Sequence, residues 1–577
     1  MHSGSDFEKM KISILSLNSQ YIHSALAPWY LKAALGGGDD ITVVDTSINE
    51  PHEQVLARVF FTQPELLCVP CYIWNIEYVC RICCDIKAAM PECRIFLGGP
   101  EVSFRAREFL EEHIWADAVL CGEGEEILPA AVNALPDLSG IPGVIYRAGD
   151  EILGDSTYRI VEDLCYVKSP YTKEMLASLQ GRLAYYESSR GCPFSCAYCL
   201  SSASHGVRYF PLERVKEELS LLAHSNVHTI KMVDRTFNAN PTRSYELLKF
   251  ILEETGDVCF HLEVGADLFN DKFITLLLSA PPGKIRIEAG VQSTNPEVLK
   301  DSARVTDTEK LFSNLSRILE EGNICVHADL ILGLPGEGME SFKKSFNDLY
   351  LLAPHELQLG FLKLLHGSDL CEKHDLDGFK FSPLPPYTVL KTPHLSAREI
   401  FTVQEFEDAF EKFFNSGRFL KTLDYLCGFF ETPFDMYSRL AEYIRERGMT
   451  YARLAVGALF SLLHDFSATI EGVKARDLLS ALRYDYFSSQ FTGRPPRKIA
   501  FEEGRDFRDL CFNYLRNTNI PEKFPHYGDI SPKALYKLVR FVPVGDSVIL
   551  FDPARRNPVN GRILGEVLGI SYPTIDI

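Results

Sequence analysis

A doubly wound parallel sheet, then a partial (β/α)6 barrel, then a mostly helical tail is the α/β architecture this sequence predicts. Three observations predict it. Five short apolar runs alternate with amphipathic segments near the start of the chain. Six further strand–helix units follow within about 190 residues, the density of a parallel barrel. Past position 395 the apolar residues recur at three- and four-residue spacing, as on helices. A chain of 577 residues is too long for one core, so several domains are expected.

The first unit, residues 10–140, has its strands at 12–18, 41–46, 65–71, 94–98 and 118–122, with helices such as 27–35 and 76–90 between them. This is a flavodoxin- or Rossmann-like order. Residues 141–181 read as a linker holding a small hairpin, 143–146 against 151–154, around Gly149-Asp150. The second unit, 182–395, places strands at 183–189, 228–234, 259–265, 284–292, 325–334 and 356–365. Its helices fall at 212–223, 241–254, 308–321 and 339–353. The third unit, 396–577, is mostly helical, for example at 400–414 and 434–447, with added strands near 541–543 and 548–551.

Composition excludes several classes. The net charge is -19, which disfavours a phosphate backbone as partner, so no nucleic acid is expected. No run of 18 apolar residues could span a bilayer, and the first ten residues lack an apolar h-region. A cytoplasmic protein without membrane contact is expected, and its 16 cysteines are then reduced.

The sharpest signal is Arg190-Gly191-Cys192-Pro193-Phe194-Ser195-Cys196-Ala197-Tyr198-Cys199. It spells C-x3-C-x2-C directly after the first barrel strand, where barrels place their chemistry. Chance alone gives roughly 0.01 such spacings in a chain with this many cysteines. Three thiolates are one short of the usual set for a [4Fe–4S] cluster, which leaves one iron open to a small molecule. Zinc is disfavoured, because no fourth Cys or His follows at zinc-like spacing.

This loop resembles that of the radical S-adenosylmethionine (SAM) superfamily. The resemblance implies that Cys192, Cys196 and Cys199 hold the cluster, with Tyr198 as the aromatic residue before the last cysteine. It implies that the open iron chelates SAM and that the reduced cluster cleaves it to a 5′-deoxyadenosyl radical. Later strand ends agree. Asp234 ends the second strand and Glu263 lies on the third. Glu288, Gln292 and Ser293 fall in IEAGVQS, which looks like the family's E-x-G-x-Q-S. Gly333 opens a G-L-P-G-E turn. These residues and Tyr198 are the implied SAM contacts.

In the first unit the strand ends read NSQYIHS, CYIW, GGPE and GEGE. Parallel open sheets bind ligands at such ends. The glycines there let a large flat ligand approach the backbone. IFLGGPEVS and AVLCGEGEE, followed by a radical barrel, resemble the cobalamin-binding class of radical SAM enzymes. YIHSALAPWYLKA and CYIWN look like the subgroup that carries a C-terminal domain of unknown function. The resemblance implies cobalamin contacts at Asn18, Tyr21, His23, Ser24, Tyr72 and Trp74. It implies further contacts at Gly98, Gly99, Pro100, Glu101, Gly122 and Glu123. No D-x-H-x-x-G is present, so cobalamin is expected without a histidine ligand on cobalt.

The expected function is methylation of an unactivated carbon in a small-molecule or peptide substrate, with flavodoxin or ferredoxin as electron donor. The alternatives are a cobalamin-dependent rearrangement, cyclisation or oxidation, a non-catalytic cofactor-binding sensor, and a tRNA methylthiotransferase-like enzyme. Cys68, Cys71, Cys80 and Cys83 together look like a four-cysteine zinc or second-cluster site, and the methylthiotransferases are a radical group that also has extra N-terminal cysteines.

Overall fold

Parallel strands buried on both faces need near-continuous apolar sequence, and the first strands have it. In the computed structural model, which describes residues 10–203, 206–373, 375–490 and 493–571, β1 (Ile12–Asn18) is buried at every position. It lies beside β2 (Ile41–Ser47) and β3 (Leu66–Pro70), and β4 (Arg94–Gly98) and β5 (Ala118–Leu120) follow, all parallel. Helices cover both faces, and two separate apolar clusters lie on the two sides.

The hairpin expected within a linker belongs to this sheet instead. Strands β6 (Val144–Ala148) and β7 (Glu151–Gly154) pair antiparallel onto β5, giving the order β2-β1-β3-β4-β5-β6-β7. The edge of β5 has unpaired backbone groups, and the hairpin satisfies them.

The second sheet has six parallel strands and stays open. They are β8 (Ala184–Tyr186), β11 (Thr229–Met232), β12 (Cys259–Val264), β13 (Ile285–Gln292), β14 (Cys325–Leu332) and β15 (Glu356–Phe361), in that order. The first strand is shorter than expected. Its C-terminal part breaks away as a separate antiparallel pair, β9 (Ser189–Cys192) and β10 (Gly206–Tyr209). Burial alternates along β12 to β14. Phe260, Leu262, Ile285, Ile287 and Ala328 pack outward on helices, while His261, Glu263, Glu288, His327 and Asp329 share the inner face.

A short pair, β16 (Lys380–Phe381) and β17 (Val389–Lys391), leads to the helical tail. That tail runs from Ala397–Phe410 to Pro532–Leu538 and ends in three antiparallel strands, β18 (Arg540–Val544), β19 (Ser547–Arg556) and β20 (Ile563–Ser571). The last of these was not expected. A π-helical turn, Glu411–Asn415, sits against the free edge of β15. There the Asn415 amide accepts from Leu357 N and donates to Leu357 O, both at 3.0 Å, as a neighbouring strand would. No helix among the described residues is long and apolar enough to cross a membrane.

Replacing Asn415 by Ala leaves both Leu357 backbone groups without partners. Amide exchange in β15, followed by mass spectrometry, is expected to speed up roughly tenfold, since two hydrogen bonds contribute about 1–3 kcal/mol.

Candidate active site

A cavity of about 620 Å³ opens at the C-terminal ends of β1, β3, β4 and β5. Ten of the twelve expected contacts line it: Asn18, His23 and Ser24 after β1, Tyr72 and Trp74 after β3, Gly98, Gly99 and Pro100 after β4, and Gly122 and Glu123 after β5. Tyr72 and Trp74 stack with ring centroids 4.4 Å apart and planes within 4°. Trp74 remains 49% exposed at the mouth. Burial pushes the Tyr72 hydroxyl up to about 12, so it stays protonated.

Two expected contacts are elsewhere. Tyr21 is 67% exposed and lies over the Arg182 guanidinium, 4.6 Å from ring centroid to Cζ. Glu101 is buried and accepts from the Tyr387 hydroxyl. Both follow wall residues by one or two positions, and the chain turns them away. The reason for the glycines also differs in part. At Gly99 (φ +98°) and Gly122 (φ +120°) a Cβ would collide with the Cys71 and Arg159 carbonyls, so the turns themselves demand glycine. Only at Gly98, where a Cβ would meet Leu120 O at 3.5 Å, does the absent side chain simply leave room.

The cavity is not confined to the first sheet. Tyr185, Glu187, Arg190 and Val233 of the second unit line it too. A knot of charge fixes this junction. Arg190 contacts Glu187 at 2.7 Å, Glu125 at 2.5 Å and Glu123 at 3.2 Å. Arg208 forks onto both Glu123 oxygens, at 2.6 and 2.9 Å. Burial works to raise the Glu123 pKa, but the Arg208 hydrogen bonds and Arg190 hold it below the usual carboxylate value. Glu123 therefore acts as a fastening between the units. His23 lies at the same seam, with Nδ1 2.7 Å from the Tyr185 hydroxyl. It is the one histidine lining the cavity among the described residues. Burial and Lys231 lower its pKa, so it is neutral near pH 7.

Cys192 is the last residue of β9, and Cys196 and Cys199 lie in the loop that follows. Each sulfur has a polar neighbour: Thr236 Oγ1 lies 3.5 Å from Cys192 Sγ, Arg304 Nη1 donates to Cys196 Sγ at 3.6 Å, and Ser201 N donates to Cys199 Sγ at 3.4 Å. The loop is pinned by Ala197 N to Ser302 O (3.0 Å) and Leu370 N to Ala197 O (2.7 Å). Tyr198 packs against the core beside it. Cys68, Cys71, Cys80 and Cys83 do not assemble. Cys68 joins the apolar cluster on one face of the first sheet, and Cys71 and Cys83 join the other.

The implied SAM contacts divide by position. Asp234 is buried and accepts from Ser188 N (3.0 Å), Ser188 Oγ (2.7 Å) and Ser189 Oγ (2.5 Å). Its oxygens thus hold the strand end that launches the cysteine loop. Ser293 donates to the buried Glu337 at 3.1 Å. Glu263 and Glu288 face the barrel interior in one row with His327. Burial works to raise the Glu288 pKa, yet His261 at 3.0 Å and Lys231 at 3.1 Å hold it down to about 2. Gln292 stands apart. It adopts φ +71° at a bulge in β13, and its buried Oε1 has no hydrogen-bond partner. A strained residue with a free acceptor is a feature of ligand sites. Gly333 also has positive φ, +93°.

Comparison with known proteins agrees with this layout. Residues 12–132 match a family model described as a B12 binding domain, and 186–349 match the radical SAM superfamily. The chain carries the two domains of a cobalamin-binding radical SAM enzyme. Its cofactors are a [4Fe–4S] cluster, SAM and cobalamin. Residues 375–555 match a protein family of unknown function, DUF4080. The chain is 26% identical over 354 residues to the cobalamin-dependent radical SAM methyltransferase TokK of Streptomyces tokunonensis, covering 57% of this chain and 51% of TokK. It is 24% identical over 449 residues to a 2-(S-pantetheinyl)-carbapenam-3-carboxylate methyltransferase of Streptantibioticus cattleyicolor, covering 70% and 65%. It thus spans between half and two thirds of these curated relatives. The cobalamin-dependent SAM radical enzyme OxsB, with aqua-cobalamin bound, shares the fold at a TM-score of 0.57 and 13% identity, over 84% of each chain. TsrM of Kitasatospora setae, with cobalamin and a [4Fe–4S] cluster bound, does so at 0.53 and 17%, over 66% and 82%.

The residues present fit the family's cofactors. Three thiols with donors directed at them suit a cluster, and a roomy, largely apolar cavity with a stacked aromatic pair suits a flat macrocycle. Several residues of this family site escaped sequence reasoning. Arg304, Tyr185, Glu187 and Arg208 carry no local pattern. Arg190 adjoins the cysteine motif, but its partners Glu123 and Glu125 lie 67 and 65 positions away.

Replacing Arg190 by Met leaves Glu125 and Glu187 buried without their cation. The variant is expected to lose about 3–5 kcal/mol in urea unfolding.

Proposed function

We propose that this chain is a methyltransferase that adds a methyl group to an unactivated carbon of a small-molecule or peptide substrate. One observation carries the reading. The cavity of the first sheet is partly walled by Tyr185, Glu187, Arg190 and Val233 of the barrel, and Arg190 stands two positions before Cys192, which supports a reading in which the two cofactors work across one junction. When bound, SAM and the reduced cluster supply a 5′-deoxyadenosyl radical, and cobalamin supplies a transferable methyl group.

The chain's own residues would divide the remaining work. Cys192, Cys196 and Cys199 would hold three irons and leave the fourth for SAM. Arg304 and Thr236 would orient two of those sulfurs. Gln292 would offer its free acceptor to SAM, beside Gly333 and Glu263. Strand-end residues from Asn18 to Glu123 would hold cobalamin, with residues 10–140 as its domain and 182–395 as the radical core. The Arg190 knot would keep the two in register and keep water out of the seam. The two curated relatives named above are methyltransferases by name, which supports methyl transfer. A reduced flavodoxin or ferredoxin would be the electron donor, and the charge of -19 argues against a nucleic-acid substrate.

Anaerobic reconstitution with iron, sulfide and hydroxocobalamin tests this directly. Given SAM and a strong reductant, wild type is expected to form 5′-deoxyadenosine, and Cys192→Ala none. With a substrate present, S-adenosylhomocysteine should accompany it. Steady 5′-deoxyadenosine without S-adenosylhomocysteine would discard methyl transfer in favour of cyclisation or rearrangement.

A further inference from the structure

A short strap lies where the barrel meets the helical tail. Leu362 N donates to Leu332 O at 2.9 Å, extending the β14–β15 ladder past the end of β15. Val389 N donates to Leu362 O at 2.8 Å and Leu364 N to Tyr387 O at 3.1 Å, so 387–389 runs antiparallel along that extension. Tyr387 has φ +55°, an unfavourable backbone for a tyrosine.

This strap touches the turns of both candidate cofactor sites. The Tyr387 hydroxyl donates to Glu101 Oε1, and the two residues are only 9% and 7% exposed. Glu101 follows Gly98, Gly99 and Pro100, which line the cavity. Two positions on, Val389 abuts Gly333, where a Cβ would lie 3.0 Å from Val389 Cγ1. The contact with the first sheet is reinforced. His366 meets the Tyr387 ring edge-on at 5.1 Å, and Gly367 leaves room for the Phe104 ring. Phe104 in turn stacks on Tyr158, a cavity wall, at 4.9 Å.

We propose that residues 387–392 form a spacer strap that registers the cobalamin-side turn at 98–101 against the SAM-side turn at Gly333, fastened by the Tyr387–Glu101 hydrogen bond. Tyr387 is then a positioning residue that acts through Glu101 on the cavity wall. The strap overlaps the segment matched by the family of unknown function, and so gives that segment a role. The proposal rests on the cobalamin reading of the cavity.

The test compares Tyr387→Phe, Glu101→Leu and Glu101→Gln with wild type. Amide exchange over residues 98–104 is read in cobalamin-free protein, and hydroxocobalamin release after dilution is read by absorbance. Tyr387→Phe and Glu101→Leu are each expected to speed exchange and release by roughly tenfold, as for a lost hydrogen bond to a charged acceptor. Glu101→Gln keeps an acceptor and should stay closer to wild type. The double variant Tyr387→Phe/Glu101→Leu should be no worse than either single change. Unchanged exchange in Tyr387→Phe, or additive single effects, overturns the strap. Wild type that never binds hydroxocobalamin would instead discard the cobalamin reading, while the exchange measurement still reports on the fastening.

Discussion

The arrangement depends on a buried guanidinium. Arg190 lies two residues before Cys192 and binds carboxylates from both units, Glu187 beside it, Glu123 from the turn after β5 and Glu125 from the helix that follows. Taking one cation and three carboxylates out of water is costly, and only close, mutually satisfied geometry offsets it. That requirement leaves little freedom in how the two units meet. Arg208 adds a second cation and ties Glu123 to β10, the partner strand of the cysteine hairpin. Aromatic faces complete the shell, with Tyr30 and Phe210 5.3 and 5.8 Å from the Arg190 guanidinium.

With that junction set, the chamber follows. The loop after β1 lies along β8, through the bridge between His23 and Leu183 and the Ser24 hydroxyl on Leu183 O. The ends of β1, β3, β4 and β5 are thereby brought against the barrel, and the cavity acquires walls from both units. The inner face of the barrel is polar for a related reason. Its outward residues are taken up by helices, and the open side leaves the inner face near water. There Lys231 and His261 pair with Glu288, and His327 lies 3.0 Å from Asp329. The helical tail supplies Asn415 to the free strand edge, so the barrel is bounded on that side without a seventh parallel strand.

Much of this was legible in the residues. Apolar periodicity marked all five parallel strands of the first sheet and all six of the second, because strands packed under helices must be apolar on the covered face. The cysteine spacing is a local signature that needs no distant partner. Most cavity residues were also legible, since parallel sheets bind at their carboxyl ends. The contacts that the residues did not foretell share a cause. Tyr21 and Glu101 sit in the right turns, yet the path of the turn rotates them onto Arg182 and Tyr387. Asp234 and Ser293 fall in motif-like positions, but their oxygens are engaged by Ser188, Ser189 and Glu337. The hairpin at β6 and β7 was legible as a hairpin, and its attachment to β5 was not.

The sequence by itself determined the order of doubly wound sheet, partial barrel and helical tail, the strands of the two sheets, and the C-x3-C-x2-C spacing of Cys192, Cys196 and Cys199. These depend on periodicity and on spacing within one loop. Only the tertiary structure decided which acids pair with which bases, which faces meet, and what crosses between the units. Glu123 with Arg208, Tyr387 with Glu101, and Asn415 with Leu357 are separated by 85, 286 and 58 positions. At such separations residue identity carries no address. The partner is chosen by the packing of elements in between.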